Sequence, residues 1–264
     1  PNIDKIHLIN WLKNNYNNFK NNQLSLRELN SERDKNYLIS VNNKSYFVIK
    51  LYNTLESKSL LELQDFVLTS LNTRTSIKKF IPKKKHQSIK TYLDKNKHPC
   101  FVRILSYIKG KMLANYKYST KLEISLGLFI GNLSKELQNI IHQSSIRNFE
   151  WDPSSIDWIK KDLNLFKSRQ KKIIENNLYE YDKFLKKNKN NLRYSLTHGD
   201  PNNYNLVVLN KKIIGLLDYG DMIFAPTIND LAICLAYSLM NKENLYNTLK
   251  NIILSYHKNF PITF

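Results

Sequence analysis

The sequence predicts an α+β protein with a small β-rich part at the front and a larger, mainly helical part behind it. Three observations carry this reading. Residues 38–53, LISVNNKSYFVIKLYN, form two β-rich runs joined by the turn signal Asn42-Asn43-Lys44. From about residue 119 the apolar residues recur at helical spacing over long stretches. Between those helices, NLVVL (205–209) and IIGLL (213–217) form a second pair of β-rich runs. The expected division is 1–107 and 108–264, with the crossing near 105–110.

Taken in order, a first helix is expected near 2–20, followed by the hairpin at 38–53. ESKSLLELQDFVLTSLNTR (56–74) places Leu60, Leu63, Val67 and Leu71 on one helical stripe, with Glu56 and Ser57 as starting residues. An apolar stretch, CFVRILSYIKGKML (100–113), follows. Three helical patterns occupy 119–143, 156–177 and 180–191, and two more, INDLAICLAYSLMN and KENLYNTLKNIILSYHKNF, follow the second hairpin. Asp230 is expected to cap the first of these two helices.

The chain has 264 residues, 42% of them hydrophobic, enough for a sizeable core. Cys100 and Cys234 are far apart and belong to no C-x-x-C pair, so neither a disulfide framework nor a zinc site is expected and a reducing cytoplasm fits. No apolar run reaches the roughly 18 residues of a membrane helix, and the first residues do not read as a signal peptide. The net charge of +19 suits a polyanionic partner, and a nucleotide is one. The lysines fall in separate groups at 78–86, 167–172 and 186–191, which reads as solvated faces. Specific nucleic-acid binding is not expected, since no zinc-finger or RNP-type motif is present.

The second hairpin concentrates the chemistry. THGDPNNYNLVVLNKKIIGLLDYGDM (197–222) gathers His198, Asp200, Asn202, Asn203, Asn205, Asp218 and Asp221 around two short apolar runs. Asn and Asp favour turns, so two decorated turns are the plain structural reading. The turn Asn210-Lys211-Lys212 would nevertheless bring Asn205, entering the first strand, beside Asp218, leaving the second. Two oxygen donors at one hairpin mouth suit Mg²⁺, which takes one or two protein carboxylates and completes its shell with phosphate and water. Asp200, five residues before Asn205, would reach the same mouth, where a carboxylate can accept a hydroxyl proton.

HGDPNNYN fits the H-x-D-x-x-x-x-N loop of the kinase fold, and LLDYGD stands where that fold places its metal-binding aspartate. With Gly199 in place of arginine, the segment resembles the aminoglycoside phosphotransferase and choline kinase superfamily. Together ERDKNYLI, FVIKLYN, LLDYGDM and INDLAICLAYSL are similar to its hydroxylysine kinase branch, including phosphotransferase domains fused to aminotransferases. The resemblance covers nearly the whole chain and implies a two-lobed, protein-kinase-like fold. It implies Asp200 as the acceptor base, Asn205 and Asp218 as Mg²⁺ ligands, and Lys50 steadying the phosphates of ATP or GTP. That lysine is usually paired with a glutamate on the next helix. Here the matching position is Gln64, on the apolar stripe, with Glu62 nearby on another face. Ser31, in NSERDKNY (30–37), stands where kinases have a glycine-rich loop and either caps phosphate or belongs to an ordinary turn. His198 braces the loop. Asp221 caps a turn, binds a second metal or receives a cationic substrate.

The resemblance implies a small-molecule kinase acting on a hydroxylated amino acid or amino alcohol, or on an aminoglycoside. A catalytically inactive kinase fold serving as a basic binding module is the reading from another class. The final NIILSYHKNFPITF resembles the point where, in this family, further helices begin to wall the acceptor cleft. The expectation is a complete nucleotide and metal site beside an open acceptor side.

Overall fold

A computed structural model describes residues 1–264 except 32–33, 44, 54, 72–88, 241–243 and 264. Lys44 of the expected first turn, the lysine group at 78–86 and Phe264 therefore lie outside the described residues. The chain divides into two compact units, Pro1–Lys111 and Met112–Phe264.

In the first unit, helix α1 (Lys5–Asn15) starts at Asp4, whose Oδ1 accepts from the amides of Ile6 at 2.8 Å and His7 at 3.0 Å. It is shorter than the expected 2–20, because Tyr16 leaves the helix with φ −137° and ψ 122° and a single 3₁₀ turn, Asn17–Phe19, follows. Strands β1 (Leu24–Leu29), β2 (Lys35–Val41), β3 (Ser45–Leu51), β4 (Lys90–Leu93) and β5 (Pro99–Ser106) form one antiparallel sheet in the order β1-β2-β3-β5-β4. The β2–β3 hairpin is the expected one, and Asn42 and Asn43 turn it with φ 50° and 56°. The sequence reading missed β1 and β4, which are short, polar edge strands. Ile39, Ile49, Val102 and Ile104 alternate onto one sheet face and pack with Leu8, Leu12, Tyr16 and Phe19. Helix α2 (Lys58–Ser70) follows β3 and buries Leu61, Leu63, Gln64, Val67 and Leu68.

A two-residue strand, β6 (Lys111–Met112), marks the passage between units. The second unit holds α3 (Thr120–Leu137), α4 (Ser168–Asn188), β7 (Tyr194–Thr197), β8 (Leu206–Leu209), β9 (Lys212–Leu216), β10 (Ile223–Pro226), α5 (Ile228–Leu239) and α6 (Leu245–Asn259). The two helices expected at 156–177 and 180–191 divide elsewhere. A 3₁₀ stretch, Asp157–Leu165, ends near Phe166, and one helix then runs through 178–180 to Asn188. Phe166 and Lys167 are extended, and Gln170 Oε1 accepts from the Lys167 amide at 3.3 Å, which starts α4 there.

Helices α3 and α6 approach each other closely at Gly127 and Gly131. A Cβ on Gly127 would stand 2.2 Å from the Ile252 carbonyl oxygen, and one on Gly131 would stand 2.7 Å from that of Tyr256. The buried Glu123 of α3 accepts from Thr248 Oγ1 at 2.9 Å and Asn251 Nδ2 at 2.7 Å, so its charge is met by donors from α6. Both cysteines are free and buried. Among the described residues no helix is long and apolar enough to cross a membrane.

Candidate active site

Two antiparallel pairs position the polar loops of the second unit. β8 and β9 form the expected hairpin, with Leu206 opposite Leu216 and a bulge after Val207. The turn is tighter than the three residues expected: Asn210 and Lys211 alone make it, at φ 52° and 58°, and Lys212 already lies in β9. β7 and β10 pair with Thr197 opposite Ile223. The loop that leaves β7 and enters β8 (198–205) is thereby brought to the loop that leaves β9 and enters β10 (217–222). The Leu217 amide donates to the Asn205 carbonyl at 2.8 Å, which sets Asn205 beside Asp218 at the hairpin mouth.

Asp200 is held from within its own loop. Asn202 Nδ2 donates to both carboxylate oxygens at 2.8 Å, and Asn205 Nδ2 donates to Oδ2 at 2.9 Å and to the Asp200 carbonyl at 3.0 Å. Asn202 Oδ1 in turn accepts from the amides of Tyr204 and Asn205 at 2.7 and 3.1 Å. Oxygen donors from Asn205 and the exposed Asp218 suit a hard divalent cation whose remaining ligands come from phosphate and water. Among the described residues no three of His, Cys, Asp and Glu gather as a metal cage. Burial raises the Asp200 pKa to about 6, the carboxylates of Asp221 and Asp218 add to the rise, and the Asn202 and Asn205 bonds oppose it.

Behind this loop lies a buried brace. The Asp200 amide donates to His198 Nδ1 at 3.3 Å, so the neutral ring carries its proton on Nε2, which donates to the Leu217 carbonyl at 3.0 Å. Burial lowers the His198 pKa to about 4, and the ring packs edge-on to Tyr219 at 4.6 Å. His198 thus joins the two loops by packing and hydrogen bonds. Asp230 does not cap α5, contrary to the sequence reading. It sits inside the first turn, and its carboxylate accepts from the amides of His198 at 2.8 Å and Gly199 at 3.0 Å. Gly199 has φ +84°, and a Cβ there would stand 2.2 Å from the Asp221 carbonyl oxygen. The fold therefore excludes the arginine of protein kinases at this position on backbone grounds.

In the first unit, Lys50 lies on β3 opposite Arg103 of β5, with Nζ 5.4 Å from the centre of the Tyr52 ring. Gln64 is buried on α2, and what the structure brings to it is Arg103, whose Nη1 donates to Gln64 Oε1 and, at 2.9 Å, to Tyr52 Oη. Arg103 Nε also pairs with Asp65 Oδ1 at 2.7 Å. Arg103 is wholly buried, so the Asp65 carboxylate meets a charge taken entirely out of water. Glu62 is exposed and pairs with Lys58 at 3.6 Å. Ser31 is exposed on the β1–β2 turn, next to residues outside the described set. Sequence reading missed Arg103, Asp65 and Arg147. Arg103 did leave a signal: a lone arginine in an apolar strand, near a helix whose apolar stripe carries an amide.

Comparison with known proteins agrees with this architecture. The family model described as the phosphotransferase enzyme family, APH, matches residues 25–250. A hydroxylysine kinase from Xenopus laevis is 26% identical over 271 residues, covering 91% of this chain and 71% of its own length. Among solved structures, the amicoumacin kinase hAmiN aligns with a TM-score of 0.74 at 16% identity, covering 98% of this chain and 79% of that one. A microcompartment-associated aminopropanol kinase aligns at 0.67 and 15%, with coverage of 98% and 82%. With its antiparallel front sheet, its helical second unit and its paired polar loops, the chain belongs to the phosphotransferase enzyme family and is a small-molecule kinase.

Proposed function

We propose that the chain transfers the γ-phosphoryl group of ATP or GTP to the hydroxyl of a small cationic acceptor, an amino alcohol or a hydroxylated amino acid. The observation that carries this reading is the Asp200 carboxylate, fixed by Asn202 and Asn205 in a loop stitched to the one bearing Asp218. Asp200 takes the acceptor's hydroxyl proton as the oxygen attacks phosphorus, the bond to the β-phosphate oxygen breaks, and the nucleoside diphosphate leaves. Asn205 and Asp218 hold Mg²⁺. When bound, that ion neutralises charge on the phosphates. Lys50 places the nucleotide phosphates, and Gln64 and Ser31 are read as belonging to the same nucleotide site. Most of the catalysis is then placement and charge neutralisation. The names of the similar proteins, hydroxylysine kinase and aminopropanol kinase, support an amine-bearing acceptor. So do the carboxylates of Asp221 and Asp218, which add to the rise that burial causes in the Asp200 pKa and suit a cation.

The test is a phosphorylation screen of hydroxylysine, short amino alcohols and aminoglycosides, each with ATP and GTP, at several Mg²⁺ concentrations. Transfer to hydroxylysine or an amino alcohol is expected. Transfer confined to aminoglycosides would move the acceptor to that class, and no transfer with intact Mg-dependent nucleotide binding would leave a binding module.

A further inference from the structure

Arg147 lies in the irregular segment after α3, far in sequence from both polar loops. Its Nη2 donates to the Gly220 carbonyl at 3.1 Å and to the Met222 carbonyl at 3.2 Å. The two acceptors flank Asp221, so one guanidinium nitrogen straddles the backbone of that residue. The guanidinium is itself steadied on the Phe149 ring, 4.4 Å from its centre.

The loop so held has reason to need a hold. Asp218 sits at φ 58°, ψ 77°, a left-handed conformation that costs a residue with a side chain. The Asp221 carbonyl oxygen presses against Gly199, at the spot a Cβ would fill. A shift of the 218–222 backbone by a fraction of an ångström would therefore alter the spacing between Asp218, Asp221 and the Asp200 loop. Leu217 ties this loop to Asn205, and His198 bonds Leu217 and packs edge-on against Tyr219. Beyond Tyr219, Arg147 fastens the loop on the side carrying Gly220 and Met222.

We infer that Arg147 is a positioning residue that holds the 218–222 loop in its metal-competent shape. This rests on the reading of Asp218 as a metal ligand, and it adds a residue that would act on the metal through the backbone. Partners of this kind typically change metal affinity or activity by roughly 10- to 100-fold when removed.

The test compares Arg147→Ala and Arg147→Lys with the parent. Amide hydrogen exchange without metal or nucleotide should show residues 219–222 exchanging faster in Arg147→Ala, with α3 and α6 unchanged. Calorimetry with Mg²⁺ and AMP-PNP should show affinity reduced roughly tenfold, partly restored in Arg147→Lys. Turnover should recover at high Mg²⁺, a shift in metal requirement that general loss of folded protein would not produce. If Arg147→Ala does not fold, Phe149→Leu, which removes only the ring under the guanidinium, should move exchange and affinity the same way by less. Unchanged exchange at 219–222, or Mg²⁺–nucleotide affinity within about twofold of the parent, would overturn the inference. Asp218→Ala separates the two readings. If it leaves Mg-dependent binding intact, the metal assignment fails, while the exchange result still decides whether Arg147 holds the loop.

Discussion

Asp200 is held where its charge is costly, and that gives it two measurable signatures. Its carboxylate form, required of an acceptor base, predominates only above its pKa of about 6. The rate at limiting acceptor should therefore fall as pH drops through that value, and Asp200→Asn should lower turnover by roughly 10²- to 10⁴-fold with little change in nucleotide affinity. Comparable loss of nucleotide affinity would sink the assignment. The same charge acts on stability. Between the unfolded value near 4 and the folded value near 6, the folded protein binds more protons at Asp200 than the unfolded chain, so this residue's contribution falls as pH rises across that window. Asp230, raised to about 6 by burial, acts in the same direction, and His198, lowered to about 4, acts oppositely. Asp200→Asn should thus be the more stable protein at neutral pH by about 1 kcal/mol, with the difference shrinking towards pH 4. Thermal melts of both proteins across that range would show a constant offset if the carboxylate were unstrained.

Elements transmit these constraints. Thr197 opposite Ile223 and Leu206 opposite Leu216 are ordinary ladder pairs, yet they decide which loops meet. The helical wall behind them depends on α3 and α6 approaching backbone to backbone at two glycines. In Gly127→Ala the new methyl would meet the Ile252 carbonyl oxygen and Ser255 Cβ, 2.2 and 2.7 Å from its ideal position. The helices must part, breaking the Glu123 contacts to Thr248 and Asn251, and a loss of roughly 1–3 kcal/mol or more is expected. Urea unfolding would measure it, and an unchanged midpoint would mean that the two helices separate without cost.

At the scale of the whole molecule the net charge of +19 dominates. The lysines at 167–172 begin an exposed helical surface, as expected of a solvated face. Binding to an arbitrary RNA should then be weak and should fall about 10³-fold or more between roughly 50 and 200 mM salt, the mark of counterion release without base contacts. Fluorescence anisotropy on two unrelated RNAs would check this. Salt-resistant binding that distinguishes them would favour a nucleic-acid partner.

The sequence by itself determined the α+β class, both hairpins, the main helices and the meeting of Asp200, Asn205 and Asp218. It could do so because hairpin register follows from local turn chemistry and strand period, so residues flanking a short hairpin become neighbours wherever the hairpin packs. The edge strands β1 and β4 and the start of α4 were not legible, since short polar segments carry little periodicity. Only the tertiary structure decided the partners of the buried charges. Asp230 reads locally as a helix cap but binds amides 31 and 32 residues away, and Gln64 finds its donor 39 residues on, in Arg103. Arg147 finds two carbonyls 73 and 75 residues away. Backbone amides and carbonyls are the same at every position, so a side chain that seeks them leaves no pattern in the sequence. Which ones it meets is fixed only when the elements pack.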